Sequence, residues 1–369
     1  MSFLRGCYYF LLANFYGKPY VASTAESDPA VPIKTSNYVE DKYYSRNSVA
    51  EVYKQIVTDL LDAEKFLKDV PKKSMWRADI NAVRLMLSRV YLYMCLYEEA
   101  EKYAALVTEN GPQLEDLNSF SGKEFLSTNL SELIFSTGAS SLPGNVTFYS
   151  RNDGTEPGFV SGNDMRISNE LYEAYNPRNP IDLRLQYFVL DYDGSIRYRK
   201  LQGETFQTTD LSDVFLMRTA EAWLNLAEAA ACAGDEPTAR KALNTLREKR
   251  IKREFFDESE VNGLTGENLV QFIREERRRE LCLEGHRWFD LRRYRVAEKY
   301  PQEVTVEHVY VNKTYNSSTY EYETLWIRKF VLTTDDPAWV MPLPKAEIDK
   351  NTGMLDNPRN ERGYEDVNN

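Results

Sequence analysis

The sequence predicts a mainly α-helical chain, a tetratricopeptide-like helical-repeat scaffold carrying one loop-rich region and a small antiparallel β element. Three observations predict it. Apolar residues recur at helical spacing through much of the chain, two helix-turn-helix segments align with each other, and the stretches between them are rich in Gly, Asn, Pro and aromatic residues. With 369 residues, 42% of them hydrophobic and 13% aromatic, the chain can bury a sizeable core.

The opening run "MSFLRGCYYFLLANFYGKPY" is interrupted by Tyr8, Tyr9, Asn14 and Tyr16, lacks a small-residue cleavage pattern and is too short to span a bilayer. It is expected to be a core helix, and a chain that opens inside a core helix is expected to lack its N-terminal part. Val49, Val52, Tyr53, Ile56, Val57, Leu60, Leu61, Phe66 and Leu67 trace a helix over Ser48–Leu67, with Ser48 and Glu51 as a capping box.

A helix pair over about 80–109 follows, Ile80 to Cys95 and Glu98 to Glu109, turning near Leu96 and Tyr97. The design returns over about 213–250, Asp213 to Ala233 and Pro237 to Arg250, turning at Gly234 and Asp235. Setting Ala100 on Ala239 places Leu85 on Leu224, Ser88 on Ala227, Tyr91 on Ala230 and Val107 on Leu246, as one repeat unit used twice would require. Trp223, Leu226, Ala227 and Ala230, with Ala239 and Ala242 after the turn, approximate the tetratricopeptide pattern, in which small residues let paired helices approach closely.

Between the pairs, about 138–212 is expected to be a loop-rich ligand region. Its stretch "GASSLPGNVTFYSRNDGTEPGFVSG" mixes turn residues with Phe148, Tyr149 and Phe159. Leu185–Thr209, with the hairpin signal "DYDGS", and Val304–Val331 alternate Tyr, Val and polar residues and supply the antiparallel element.

Composition excludes several function classes. A net charge of −11 would repel a polyanion, so nucleic acid is not an expected partner. Cys7, Cys95, Cys232 and Cys282 sit singly in helical runs and are read as small core residues. His286 and His308 are too few for a histidine-rich metal site or a triad. "DYDGS" holds only part of a calcium loop and lacks the distal Glu. Neither a cofactor nor a metal is expected, and no Walker loop, G-x-S-x-G or H-E-x-x-H is present.

The stretch "REERRRELCLEGHRWFDLRRY", Arg274 to Tyr294, surrounds an apolar stripe with charge. Glu280 and Glu284, four apart, could be paired carboxylates for acid and base work. Arg277 and Arg287 lie within about a turn of them, however, and a neighbouring cation keeps a carboxylate ionised where a general acid needs a raised pKa. Gly285 suits a left-handed residue that ends the helix and lets "HRWFDLRRY" fold back as a second short one.

In the loop, Phe148, Tyr149, Arg151, Asn152, Asp153, Phe159, Asn163 and Asp164 combine aromatic rings with hydrogen-bonding groups, the means by which proteins hold sugars. Two alternatives remain: a helical-repeat scaffold that binds a protein or peptide partner, and a glycoside hydrolase using Asp153 and Glu156.

The charged stretch resembles the signature of the SusD/RagB family of outer-membrane nutrient-binding lipoproteins of Bacteroidetes. The family run E-R-R-x-E-L-x-x-E-G-x-R-x-x-D-L-R-R is met by Glu276, Arg277, Arg278, Glu280, Leu281, Glu284, Gly285, Arg287, Asp290, Leu291, Arg292 and Arg293. "FLRGCYYFLLANFYGKPY", "STAESDPAVPIKT", "MRTAEAWLNLAEAAA" with Arg218, Glu221, Asn225 and Glu228, and "MPLPKAEIDKN" with "DNPRN" resemble other family segments in the family's order.

The resemblance implies one SusD-like domain over 1–369 that lacks its N-terminal part, with the signature helices and tail at 268–369. It implies a non-catalytic protein that binds oligosaccharide or polysaccharide at the cell surface and delivers it to a SusC-like TonB-dependent transporter. It also implies a lipid-anchored full-length form in the outer membrane, with signal peptide, anchor and part of the glycan site absent from this chain. Glu276, Arg277, Glu280, Glu284, Gly285, Arg287 and Asp290 are then expected to determine the fold and not to touch ligand, because the motif recurs in members with different ligands.

Overall fold

A computed structural model of the chain describes residues 1–122, 125–138, 167–192, 195–198, 200, 211 and 215–367. The chain forms two compact units, Met1–Gly6 with Val57–Phe289, and Cys7–Ile56 with Asp290–Asn369. Helix α1 (Ser2–Tyr16) buries Phe3, Cys7, Phe10 and Ala13, while Leu4, Tyr8, Leu12 and Phe15 are exposed, so the expected core helix is core on one face only. Helix α2 (Val49–Leu67) starts at the predicted capping box. The Ser48 N–H donates to the Glu51 carboxylate (2.9 Å) and the Glu51 N–H to the Ser48 hydroxyl (3.1 Å).

The first unit then runs α3 (Ile80–Tyr93), α4 (Tyr97–Asn110), β1 (Leu133–Ser136), α5 (Asn169–Glu173), α6 (Arg184–Phe188), β2 (Val189–Tyr192), β3 (Ser195–Tyr198), β4 (Leu216–Arg218), α7 (Thr219–Ala233), α8 (Glu236–Glu248), α9 (Ser259–Asn262) and α10 (Gly266–Glu280). Helices α3 and α4 pack as one pair and α7 and α8 as the other, with α4 lying on α7. Leu92, Ala100 and Ala229 meet at that contact, where small side chains permit close approach. The aligned repeat positions Leu85, Leu224, Ser88, Ala227, Ala230, Ala100, Ala239, Val107 and Leu246 are all buried, and only Tyr91 is half-buried.

The second pair turns through Gly234 (φ +100°), with the Asp235 side chain accepting the Thr238 N–H at 3.2 Å. Its first helix starts at Thr219, because Leu216–Arg218 instead pairs antiparallel with β1. Leu185 falls within α6, so the expected β zone begins at Val189, where β2 and β3 pair from Val189 with Tyr198 to Tyr192 with Ser195. Cys95 (φ +57°) lies in the turn between α3 and α4 and Cys282 in the turn after α10, so neither is helical as expected; Cys95 is half-buried.

Helix α11 (Arg287–Tyr294) leads from the signature into the C-terminal part of the second unit, which holds the hairpin β5 (Val306–Asn316) and β6 (Glu321–Leu332), α12 (Lys345–Lys350) and β7 (Glu365–Asp366). The sheet order is β5-β6-β7, all antiparallel, with a bulge between Asn312 and Lys313. Arg46 ties this unit together, donating to the carbonyls of Ala30 and Tyr16 (both 2.8 Å) and to Asn357 Oδ1 (2.9 Å).

Candidate functional site

The charged signature folds as a helix end, a turn and a short helix. Helix α10 stops at Glu280, before the predicted glycine, and the chain turns through Leu283 (φ +60°) and Gly285 (φ +80°). Glycine takes this conformation freely, whereas Leu283 gives up about 1 kcal/mol to hold it. Glu280 and Glu284 therefore do not stack along one helix face as their spacing suggested. They converge on Arg218 at the end of β4, and the cations nearest them come from distant parts of the chain.

Glu280 accepts from three guanidinium groups: Arg218 Nη1 at 2.5 Å, Arg250 Nε at 2.9 Å and Arg184 Nη1 at 3.1 Å. Glu284 accepts from Lys200 Nζ at 2.5 Å and from Arg218 Nε and Nη2, each at 2.8 Å. Glu276 faces Arg184 (2.7 Å), Arg279 (2.7 Å) and Arg247 (2.9 Å), while Glu132 faces Arg218 (2.6 Å) and Arg250 (2.8 Å). Lys200, with no exposed surface, spends its remaining donors on the carbonyls of Glu280 and Cys282. Aromatic rings line the hub, with Lys200 4.0 Å from the Phe188 centroid and Arg218 and Arg250 flanking Phe125.

Burial alone would raise the carboxyl pKa values, but the cations outweigh it. Arg250, Arg218 and Arg184 hold Glu280 well below the ordinary carboxylate value, Arg218 and Lys200 hold Glu284 down, and Arg184, Arg279 and Arg247 do so for Glu276. His286, buried, is pushed well below its ordinary value first by burial and then by Arg89, Arg277, Arg218 and Lys200, so its ring is neutral. Carboxylates that are ionised, enclosed and surrounded by cations lack the raised pKa and the access that a general acid needs.

A second polar stripe runs along α7. Glu221 takes a bidentate pair from Arg89 (2.6 Å on each oxygen), Arg277 donates to Asn225 Oδ1 at 2.7 Å, and Asn225 donates to Ser88 Oγ at 2.9 Å, crossing from one repeat pair to the other. Arg274 reaches Glu228 at 3.2 Å. Arg287 is half-buried at the start of α11, and Asp290 is buried and accepts from Arg293 Nε at 2.9 Å.

The hub fastens the stems of the loop-rich region. Glu132 precedes β1, which leads into that region. The Tyr175 hydroxyl, just past α5, donates to the Arg279 carbonyl at 2.7 Å, and Arg184, Lys200 and Arg218 mark the later crossings. Glu132, Asp182, Arg184, Lys200 and Arg250 were not singled out from sequence. The available signal was a charged residue abutting an apolar run, as in Glu132 before "LIFS". The predicted sugar-contacting residues Phe148, Tyr149, Arg151, Asn152, Asp153, Phe159, Asn163 and Asp164, together with Glu156, lie outside the described residues.

The second unit has a cleft of about 550 Å³ bordered by Tyr43, Tyr44, Arg46, Met354, Leu355 and Asn357. It mixes rings, apolar side chains and an amide, the lining typical of small-molecule sites. No described helix is long and apolar enough to cross a membrane.

A family model described as the SusD family matches residues 102–364, and one described as starch-binding associating with outer membrane matches residues 2–92. No curated protein matches the chain. Among solved structures, a proposed sugar-binding protein of Bacteroides vulgatus is 26% identical with a TM-score of 0.73, the match covering 97% of this chain and 76% of the other. A SusD superfamily protein of Bacteroides thetaiotaomicron is 23% identical with a TM-score of 0.72, covering 97% and 77%. A laminarin-binding SusD-like protein is 20% identical with a TM-score of 0.61, also covering 97% and 77%. The mainly helical architecture with small antiparallel sheets is the fold of these neighbours.

Proposed function

Because the chain belongs to the SusD family, we propose that it binds oligosaccharide or polysaccharide nutrients at the outer-membrane surface without transforming them, and passes them to a SusC-like TonB-dependent transporter. The family match over 102–364 carries this reading. The second model's description and the laminarin-binding neighbour support a carbohydrate ligand and an outer-membrane setting. A lipid anchor belongs to the same proposal.

In this account Glu276, Arg277, Glu280, Glu284, Gly285, Arg287 and Asp290 serve the fold. The hub to which Glu276, Glu280 and Glu284 contribute positions the stems from which the sugar-contacting loop is presented. Phe148, Tyr149, Arg151, Asn152, Asp153, Phe159, Asn163 and Asp164 are the proposed ligand contacts, with rings stacking on pyranose faces and the polar side chains reaching hydroxyls. The test is calorimetric titration with laminarin and starch oligosaccharides. Tyr149→Ala and Phe159→Ala are expected to weaken binding about tenfold each with no change in melting temperature. Wild-type affinity in both variants would remove the loop from the site.

A further inference from the structure

The second unit carries an aromatic ladder that the loop assignment does not use. Side chains alternate across a strand, so the register His308 with Phe330, Tyr310 with Arg328 and Asn312 with Trp326 puts these six on one face of the β5–β6 hairpin. The ring centroids of Tyr310 and Trp326 are 5.5 Å apart, His308 and Tyr310 6.5 Å, and Phe330 and Tyr364 6.0 Å. Arg328 lies over both Trp326 (4.2 Å) and Tyr364 (3.8 Å) and fixes the row, while Tyr310 and Tyr364 remain about half exposed, at 47% and 50%.

A second feature adjoins it. Beside β6 a polar cleft of about 460 Å³ is bordered by Lys329, Asp336, Asn360, Glu361, Tyr364 and Glu365; Lys329 and Glu365 pair on the face of the sheet opposite the ladder, and of the ladder residues Tyr364 borders the cleft. The cations are already matched, Arg328 with Asp366 at 3.2 Å and Lys329 with Glu307 at 3.0 Å, which disfavours an anionic ligand. On the ladder's own face, half-exposed rings in series beside the Asn312 amide, the Asp366 carboxylate and the tyrosine hydroxyls suit a ligand with alternating C–H faces and hydroxyls.

We propose that this ladder forms an accessory carbohydrate-contact surface for a neutral glycan, made of residues other than those of the 138–162 loop and resting on the glycan-binding reading above. Being open along the hairpin, it would grip long polysaccharide and add little to a short oligosaccharide held in the loop.

The experiment is native gel retardation of the full chain in laminarin, soluble starch or β-mannan, paired with calorimetry on the matching short oligosaccharide. Wild type, Tyr310→Ala, Tyr364→Ala, Tyr364→Phe and Tyr149→Ala are compared, each checked by thermal melt. Tyr310→Ala and Tyr364→Ala are expected to lose about tenfold in polysaccharide affinity with unchanged oligosaccharide binding, and Tyr364→Phe, which keeps the ring, is expected to retain most of it. Tyr149→Ala is expected to lose both. Wild-type retardation of Tyr310→Ala and Tyr364→Ala overturns the accessory surface and leaves the glycan reading standing. Absence of any wild-type retardation or heat overturns both.

Discussion

Replacing Glu280 by Gln removes one charge at nearly constant shape from the centre of the hub. Three guanidinium groups then lose the carboxylate that sits 2.5 to 3.1 Å from them. At an effective dielectric of about 20 each attraction is about 4 kcal/mol, offset by the carboxylate's desolvation and by repulsion among the arginines. Removing one partner from a buried ion pair costs about 3–5 kcal/mol net. For a unit of this size, 4 kcal/mol corresponds to a fall in Tm of roughly 8–16 °C. Differential scanning calorimetry of Glu280→Gln beside Lys65→Ala, whose exposed pair with Asp62 should be worth under about 0.5 kcal/mol, provides the comparison. A Tm for Glu280→Gln within about 2 °C of wild type would refute the hub. Arg218→Met in the Glu280→Gln background should cost less than in wild type, because the two residues share an interaction.

The remaining predictions concern pH, the repeat contact and the turn. His286 is held neutral in the fold, so the unfolded chain binds the extra proton below the ordinary value of 6.5, and stability should fall by about 1.4 kcal/mol per pH unit from there downward. His286→Gln should flatten the pH dependence of Tm between pH 6.5 and 4.5, and an unchanged slope would remove the cause. Glu276, Glu280 and Glu284 have depressed values, so their contribution is complete above about 4.5 and is lost as pH falls further. Asn225→Leu removes the Oδ1 that accepts from Arg277 and the amide that donates to Ser88, and should cost about 1–3 kcal/mol by urea denaturation, whereas an effect under about 0.5 kcal/mol would show that the contact between repeats is not held by that amide. Gly234→Ala, with open space around it but φ at +100°, should cost about 1 kcal/mol in the same assay and Gly234→Asn less; equal stability of all three would mean the turn rearranges.

Much of this fold was legible because helices announce themselves locally. The Ser48–Glu51 box, the glycine turn and the aligned alanines each depend on neighbours within a few residues, and the structure has a helix or turn at each. Long-range pairing is what the sequence hid. Leu216–Arg218 reads as the start of a helix, and only Leu133–Ser136, some eighty positions earlier, makes it a strand. The spacing of Glu280 and Glu284 pointed to the adjacent Arg277 and Arg287, whereas the actual donors are Arg184, Lys200, Arg218 and Arg250, brought in by tertiary packing. The ladder on β5 and β6 was visible only as alternation. Which residues share a face depends on pairing and on the bulge at Asn312, neither of which a periodicity records.

The most direct measurement is calorimetric titration of the wild-type chain with laminarin and starch oligosaccharides, with reducing ends assayed in the same mixtures. Saturable heat and a constant number of reducing ends are expected of a non-catalytic glycan binder. Growth in reducing ends would make the protein a hydrolase, and no heat with either glycan or with a wider neutral panel would contradict carbohydrate binding itself.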